Sequence, residues 1–247
     1  MNKHIRIGDW FLVKLSGDNY YRLEFVNSVT EEVTNKMWND LDEGIKKWNI
    51  KIISCYKAFR HTNIRKFIIP SQYEHLFDEM CDVNYMFEYS RIEVLNIKFK
   101  STSLDHANFM CSDCKRLEHV HVSFNSEASL RYMFNGCLSL KTLRLIFNCC
   151  VDVYRLCFGC NEFSILDLRF KDRALYKLLT SGFMNADIKN DTINYVNYSN
   201  HPYRISNISP KYCESINKIS SLSNAEHVIH VNILSNRHIS DCKSLIV

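Results

Sequence analysis

Apolar residues recur between residues 86 and 170 at an interval longer than any helix or strand period. Met133-Phe134-x-x-Cys137-x-x-Leu140-x-x-Leu143-x-Leu145-x-Phe147 has one copy starting 23 residues earlier at Met110 and another 23 residues later at Leu156. Two shorter copies precede them. Met86-Phe87 leads to Ile92, Leu95, Ile97 and Phe99, and Phe59 leads to Ile64, Phe67, Ile69 and Pro70. A period in the twenties with an apolar-x-x-apolar-x-apolar core marks a leucine-rich type of solenoid, in which neighbouring units stack because one alone cannot bury its apolar face. The L-x-L segment reads as a strand, since period-two alternation puts its apolar pair on one face. Leu143 and Leu145 are therefore expected inside, and Thr142, Arg144 and Ile146 outside. The Met-Phe-x-x-Cys stretch is expected to return the chain across the other side as a helical turn or short helix.

The flanking segments read differently. "DWFLVKL" and "YYRLEFV" enclose Gly17-Asp18-Asn19, turn chemistry that predicts a hairpin over 9–26. Val33, Met37, Leu41 and Ile45 then fall at four-residue spacing, which predicts a helix over about 31–47 with Thr30 as N-cap and Glu31 and Glu32 in its first turn. All three tryptophans lie in the first 48 residues. Residues 1–54 are accordingly read as an N-terminal cap of hairpin plus helix, or a small α+β domain, residues 55–170 as leucine-rich repeats, and 171–247 as degenerate repeats and a C-terminal cap. In that last part "NDTINYVNYS" (190–199) and "AEHVIHVNIL" (225–234) read as strands. The expected class is an α/β repeat solenoid with short parallel strands.

"AFRHTNIRKFIIPSQY" (58–73) and "MFNGCLSLKTLRLIF" (133–147) resemble the BspA-like, or Treponema-pallidum-type, leucine-rich repeats, whose A/M-F-x-x-C-x-x-L core precedes a short strand often closed by Ile-Pro. Only the unit ending at Ile69-Pro70 keeps that closure. The resemblance implies a right-handed solenoid used for binding, as in surface adhesins and in intracellular repeat proteins of protists and large DNA viruses. It implies no catalytic residues.

Composition narrows the function. The 46% hydrophobic content leaves ample core, and 6 Gly and 3 Pro leave few linkers. A net charge of +4, scattered along the chain, does not demand a polyanion. The first residues lack a continuous apolar run, and no stretch approaches the roughly 20 apolar residues of a membrane span. An intracellular, cytoplasmic protein without membrane attachment is the expectation. No phosphate loop, zinc-protease signature or nucleophile elbow is present, so neither enzyme activity nor a cofactor is expected.

Eleven cysteines raise metal and redox chemistry. Cys111-x-x-Cys114 and Cys157-x-x-Cys160 have zinc-ligand spacing, yet a whole unit lies between them. With coils about 5 Å apart the pairs stand about 10 Å apart, whereas four sulfurs at ~2.3 Å from one zinc lie within about 4 Å of each other. The favoured reading is a buried thiol ladder of Cys114, Cys137 and Cys160. Cys149-Cys150 is expected in the connection after a strand.

Function is expected on the outward strand positions. Stacking the copies builds three rows: Ile68, Asn96, His121, Arg144 and Asp167; Lys98, Ser123, Ile146 and Arg169; and Val94, His119, Thr142 and Ile165. From these we take Asn96, Lys98, His119, His121, Thr142, Arg144, Asp167 and Arg169 as candidate contacts for a protein partner with acidic groups. Arg144 and Asp167 also fall close enough to pair with each other, an exposed contact worth roughly 0–1 kcal/mol. Nucleic acid is disfavoured as the partner. Two alternatives stand beside this reading: a nucleic-acid or polyanion binder using Lys98, Arg144 and Arg169, and a redox or zinc-responsive module built on the cysteine pairs.

Overall fold

The computed structural model describes residues 4–15, 19–27, 29–160, 163–170 and 188–197, with backbone alone for 147–151, 163–170 and 188–197. Strands β1 (His4–Ile7), β2 (Trp10–Lys14), β3 (Tyr20–Phe25) and β4 (Lys51–Ser54) form one sheet in sequence order, with helix α1 (Asn35–Trp48) between β3 and β4. β5 (Lys66–Ile68), β6 (Val94–Phe99), β7 (His119–Ser129), β8 (Thr142–Asp152), β9 (Phe163–Phe170) and β10 (Ile188–Asn197) form a second sheet, also in sequence order. Every neighbour in that second sheet is parallel, so the chain winds as a β-solenoid.

Alternation drives the winding. Leu95, Ile97 and Phe99 on β6, Val120, Val122 and Phe124 on β7, and Leu143 and Leu145 on β8 are all buried, and they meet in register as Leu95, Val120 and Leu143, then Ile97, Val122 and Leu145. A one-residue slip would turn each of these sets to solvent. At the far corner a narrower parallel ladder joins Ser54, Asp82, His106, Ser129 and Asp152. β10 falls where the strand over 190–199 is expected; the strand over 225–234 lies outside the described residues.

The return path corrects the expectation of a helix. Met133, Asn135 and Cys137 donate their N–H groups three residues back, to Leu130, Tyr132 and Phe134. The alternate donors, Tyr132, Phe134 and Gly136, bond instead to the next coil at Tyr154, Leu156 and Phe158, at 2.8–3.0 Å. The result is a tandem of tight turns in which two residues per coil adopt left-handed backbone: Lys57 and His61, Tyr85 and Tyr89, Phe109 and Asp113, Tyr132 and Gly136, Arg155 and Gly159. An α-helix would direct all its N–H groups along its own axis and leave none to join the coils.

The N-terminal region also departs from its expected boundaries. β2 and β3 form the antiparallel hairpin, but β1 adds a further antiparallel strand through the turn at Gly8. α1 begins at Asn35, capped by Thr34, whose hydroxyl accepts from Met37 N–H. Thr30 does not cap it, because Glu32 is held in a parallel bridge to Lys66 and the Glu31 carbonyl accepts from Arg65 N–H. Those contacts fix 31–32 as extended chain, and the first helical turn carries no acidic residue. Trp38 and Leu41 are its large buried side chains, with Met37 and Ile45 partly buried.

Trp38 stands 5.2 Å from Trp10, 5.6 Å from Phe67 and 6.1 Å from Phe77 between ring centroids. The first sheet, α1 and the first coil thus share one apolar core. Beside it, a short 3-10 helix (Ser71–Phe77) follows Pro70 and is tied to α1 through Asp42. The Asp42 carboxylate, only 7% exposed, accepts from Lys46 Nζ at 2.7 Å and meets His75 Nε2 at 2.9 Å. His75 Nδ1 faces the Gln72 carbonyl at 2.9 Å, so both ring bonds form only when the imidazole carries two protons.

Burial alone would raise the Asp42 pKa, but the hydrogen bonds from Lys46 and His75 outweigh it and hold the carboxyl below its ordinary range. A depressed carboxyl pKa contributes stability above the unfolded value and loses it as pH falls through the folded one. Asp42→Asn is therefore expected to lower stability in urea melts at neutral pH, with the gap to the parent closing below about pH 4. A gap that persists undiminished in acid would mean that charge plays no part.

Candidate functional site

The outward rows assemble in the register expected from the repeat. Ile68, Asn96, His121, Arg144 and Asp167 align across β5–β9, as do Val94, His119, Thr142 and Ile165, and Lys98, Ser123, Ile146 and Arg169. Asn96, Lys98, His119, His121 and Arg144 are exposed and Thr142 is half-buried, while Leu143 and Leu145 between them are fully buried. Asp167 and Arg169 occupy their rows by backbone register; their side chains, and the expected Arg144–Asp167 pairing, lie outside the described residues.

Cations at the strand entrances are neutralised where they stand. Arg65 pairs with Glu93 at 2.8 Å, and Lys141 pairs with Glu118 at 2.7 Å and holds that carboxyl below its ordinary pKa. Lys100, past the end of β6, pairs with Glu74 at 2.8 Å. On the face itself, the three rows across β5–β8 carry Lys66, Lys98 and Arg144 and no carboxylate. Such a surface attracts acidic groups.

The cysteine slots face the other way, into the core. Cys114, Cys137 and Cys160 are fully buried and donate their S–H groups to the Phe87, Cys111 and Phe134 carbonyls at 2.9, 3.0 and 3.1 Å. Thr62 and Ser90 fill the same slot in the first two coils. Burial drives the thiols of Cys111, Cys137 and Cys157 well above their ordinary pKa, so they rest as neutral thiols rather than nucleophilic thiolates. Cys149 and Cys150 are not in a connection: they lie within β8, paired with Glu127 and Ala128 of β7, because β8 continues past Phe147 to Asp152.

No family model, curated protein or solved structure matches the chain. Among the described residues, no group of three or more His, Cys, Asp and Glu side chains converges to hold a metal ion. No helix among them is long and apolar enough to cross a membrane.

The turn face carries a second organised surface that strand periodicity does not reveal. Tyr85, Phe109 and Tyr132 occupy one slot of three successive coils, half-buried, with ring centroids 5.0 and 4.7 Å apart and nearly parallel planes. Lys57 and Arg155 occupy that slot in the coils on either side. Its signal in the sequence is the aromatic residue immediately preceding each methionine: Tyr85-Met86, Phe109-Met110 and Tyr132-Met133.

Proposed function

We propose that this chain is a non-enzymatic, intracellular interaction protein of the leucine-rich, BspA-like type, with 1–54 as its cap, and that it binds another protein on the outward face of its parallel sheet. The observation that carries the reading is the in-register display of Lys66, Lys98, His119, His121 and Arg144 over a buried layer, with no carboxylate in those three rows across β5–β8. Parallel strands fixed from beneath hold the backbone at those positions in place, so only side-chain ordering opposes binding. Fully buried, hydrogen-bonded thiols suit a reducing compartment.

Affinity capture from the source cell with the full chain as bait, repeated with Arg144→Glu, tests this. The parent is expected to retain a protein that the variant loses or holds about tenfold more weakly, with unchanged melting, since a surface substitution shifts stability by only about 0.5 kcal/mol. Equal capture by both would remove the sheet face from consideration. Retention of nucleic acid, with affinity falling steeply as salt rises, would favour the polyanion reading instead.

A further inference from the structure

The turn face presents a choice that the backbone does not dictate. Each coil has two left-handed residues in its tandem turns. In one row the chain places His61, Tyr89, Asp113, Gly136 and Gly159, relaxing to glycine where the geometry favours it. In the other it keeps Tyr85, Phe109 and Tyr132 at φ 58, 55 and 55°. A left-handed conformation strains a bulky residue. Ring stacking returns a part of that in each pair. Two stacked pairs do not offset three strained residues, and strain retained at a half-exposed site points to a use for the rings.

The ladder's geometry selects what can sit on it. Because the rings lie face to face, the middle rungs present only edges, so nucleobases and sugars find no face on which to stack. Ring edges carry the positive end of the aromatic quadrupole. Lys57 Nζ lies 4.9 Å from the Tyr56 ring and 5.6 Å from Tyr85 at one end, and the Arg155 guanidinium lies 5.9 Å from Tyr132 and 5.2 Å from Tyr154 at the other. An antiparallel second copy would bring these like charges together. We infer that the Lys57–Tyr85–Phe109–Tyr132–Arg155 ladder is a docking surface for an extended, acidic polypeptide segment, separate from the sheet face. Four coil steps of ~4.8 Å put Lys57 and Arg155 about 19 Å apart, the span of about six extended residues. Carboxylates near the two ends of such a segment meet the cations, and apolar side chains between them cover the ring edges.

Fluorescence anisotropy with the full chain tests the inference, using three labelled probes: a dodecapeptide with Glu at positions 1–3 and 9–12 around five apolar residues, the same peptide with Lys in place of Glu, and a twelve-residue oligothymidylate. The acidic peptide is expected to bind best. Phe109→Gly removes a rung while relieving its backbone, so it should keep the melting temperature and weaken the acidic peptide by about tenfold. Lys57→Glu/Arg155→Glu should abolish binding, and Arg144→Glu on the sheet face should leave it unchanged. Binding of the acidic peptide no tighter than that of the basic one, preference for the oligothymidylate, affinity unaltered by Phe109→Gly, or loss with Arg144→Glu would each overturn it.

Discussion

Leu143→Asp is expected to unfold the protein. Leu143 is fully buried, and its backbone is flanked in register by Val120 and Leu166, with β7 and β9 on either side. A carboxylate there would have neither water nor a cation. Removing a large buried apolar side chain costs about 2–5 kcal/mol, and an uncompensated buried charge adds about 3–5 kcal/mol. Together these approach or exceed the 5–15 kcal/mol by which whole domains are typically stable. Circular dichroism should show lost β-structure, or a urea midpoint near zero. Arg144→Glu, one residue along the same strand but exposed, is the matched control. A Leu143→Asp variant that melts with the parent would remove the inward assignment of the repeated leucines.

Trp38→Ala should be the second most damaging change, at about 3–5 kcal/mol. Trp38 touches the hairpin through Trp10, the first coil through Phe67 and the 3-10 helix through Phe77. Since one apolar core spans these elements, the loss should lower a single cooperative transition, followed equally by tryptophan fluorescence and far-ultraviolet dichroism. Two separated transitions would instead make residues 1–54 an independent domain. Trp38→Phe should cost much less, because the buried indole Nε1 has no hydrogen-bond partner to lose.

The strand registers and outward rows were legible in the sequence because alternation assigns a face residue by residue, and a 23-residue echo aligns one strand with the next. The return path was not. Met133, Phe134, Cys137 and Leu140 are spaced as on a helical face, and a tandem of three-residue turns produces the same spacing. Gly136 and Gly159, at left-handed positions, were the local sign of the difference. The start of α1 is set by a non-local contact. Thr30 and Thr34 are both plausible caps by chemistry, and the bridge from Glu32 to Lys66 decides between them.

Of the candidate surfaces, the sheet face could be enumerated from spacing alone, whereas the aromatic ladder could not. Its rings depend on a backbone conformation that aromatic residues rarely adopt. The cysteine pairs were correctly drawn inward by the repeat. Cys149 and Cys150 fall within β8 rather than after it because that strand is longer than the L-x-L core that announces it.

The hydrogen bonding of the turns has a consequence for how such a molecule can change. Every second N–H of a return path is promised to the coil that follows, and the buried slots of adjacent coils are matched one to one. Inserting one residue within the tandem turns at 130–137 would break both correspondences at once, whereas duplicating a whole 23-residue winding such as 130–152 would only present the next coil with an identical neighbour. Viable lineages of this protein should therefore differ in length by entire windings, with smaller insertions confined to junctions such as the 3-10 segment at Ser71–Phe77.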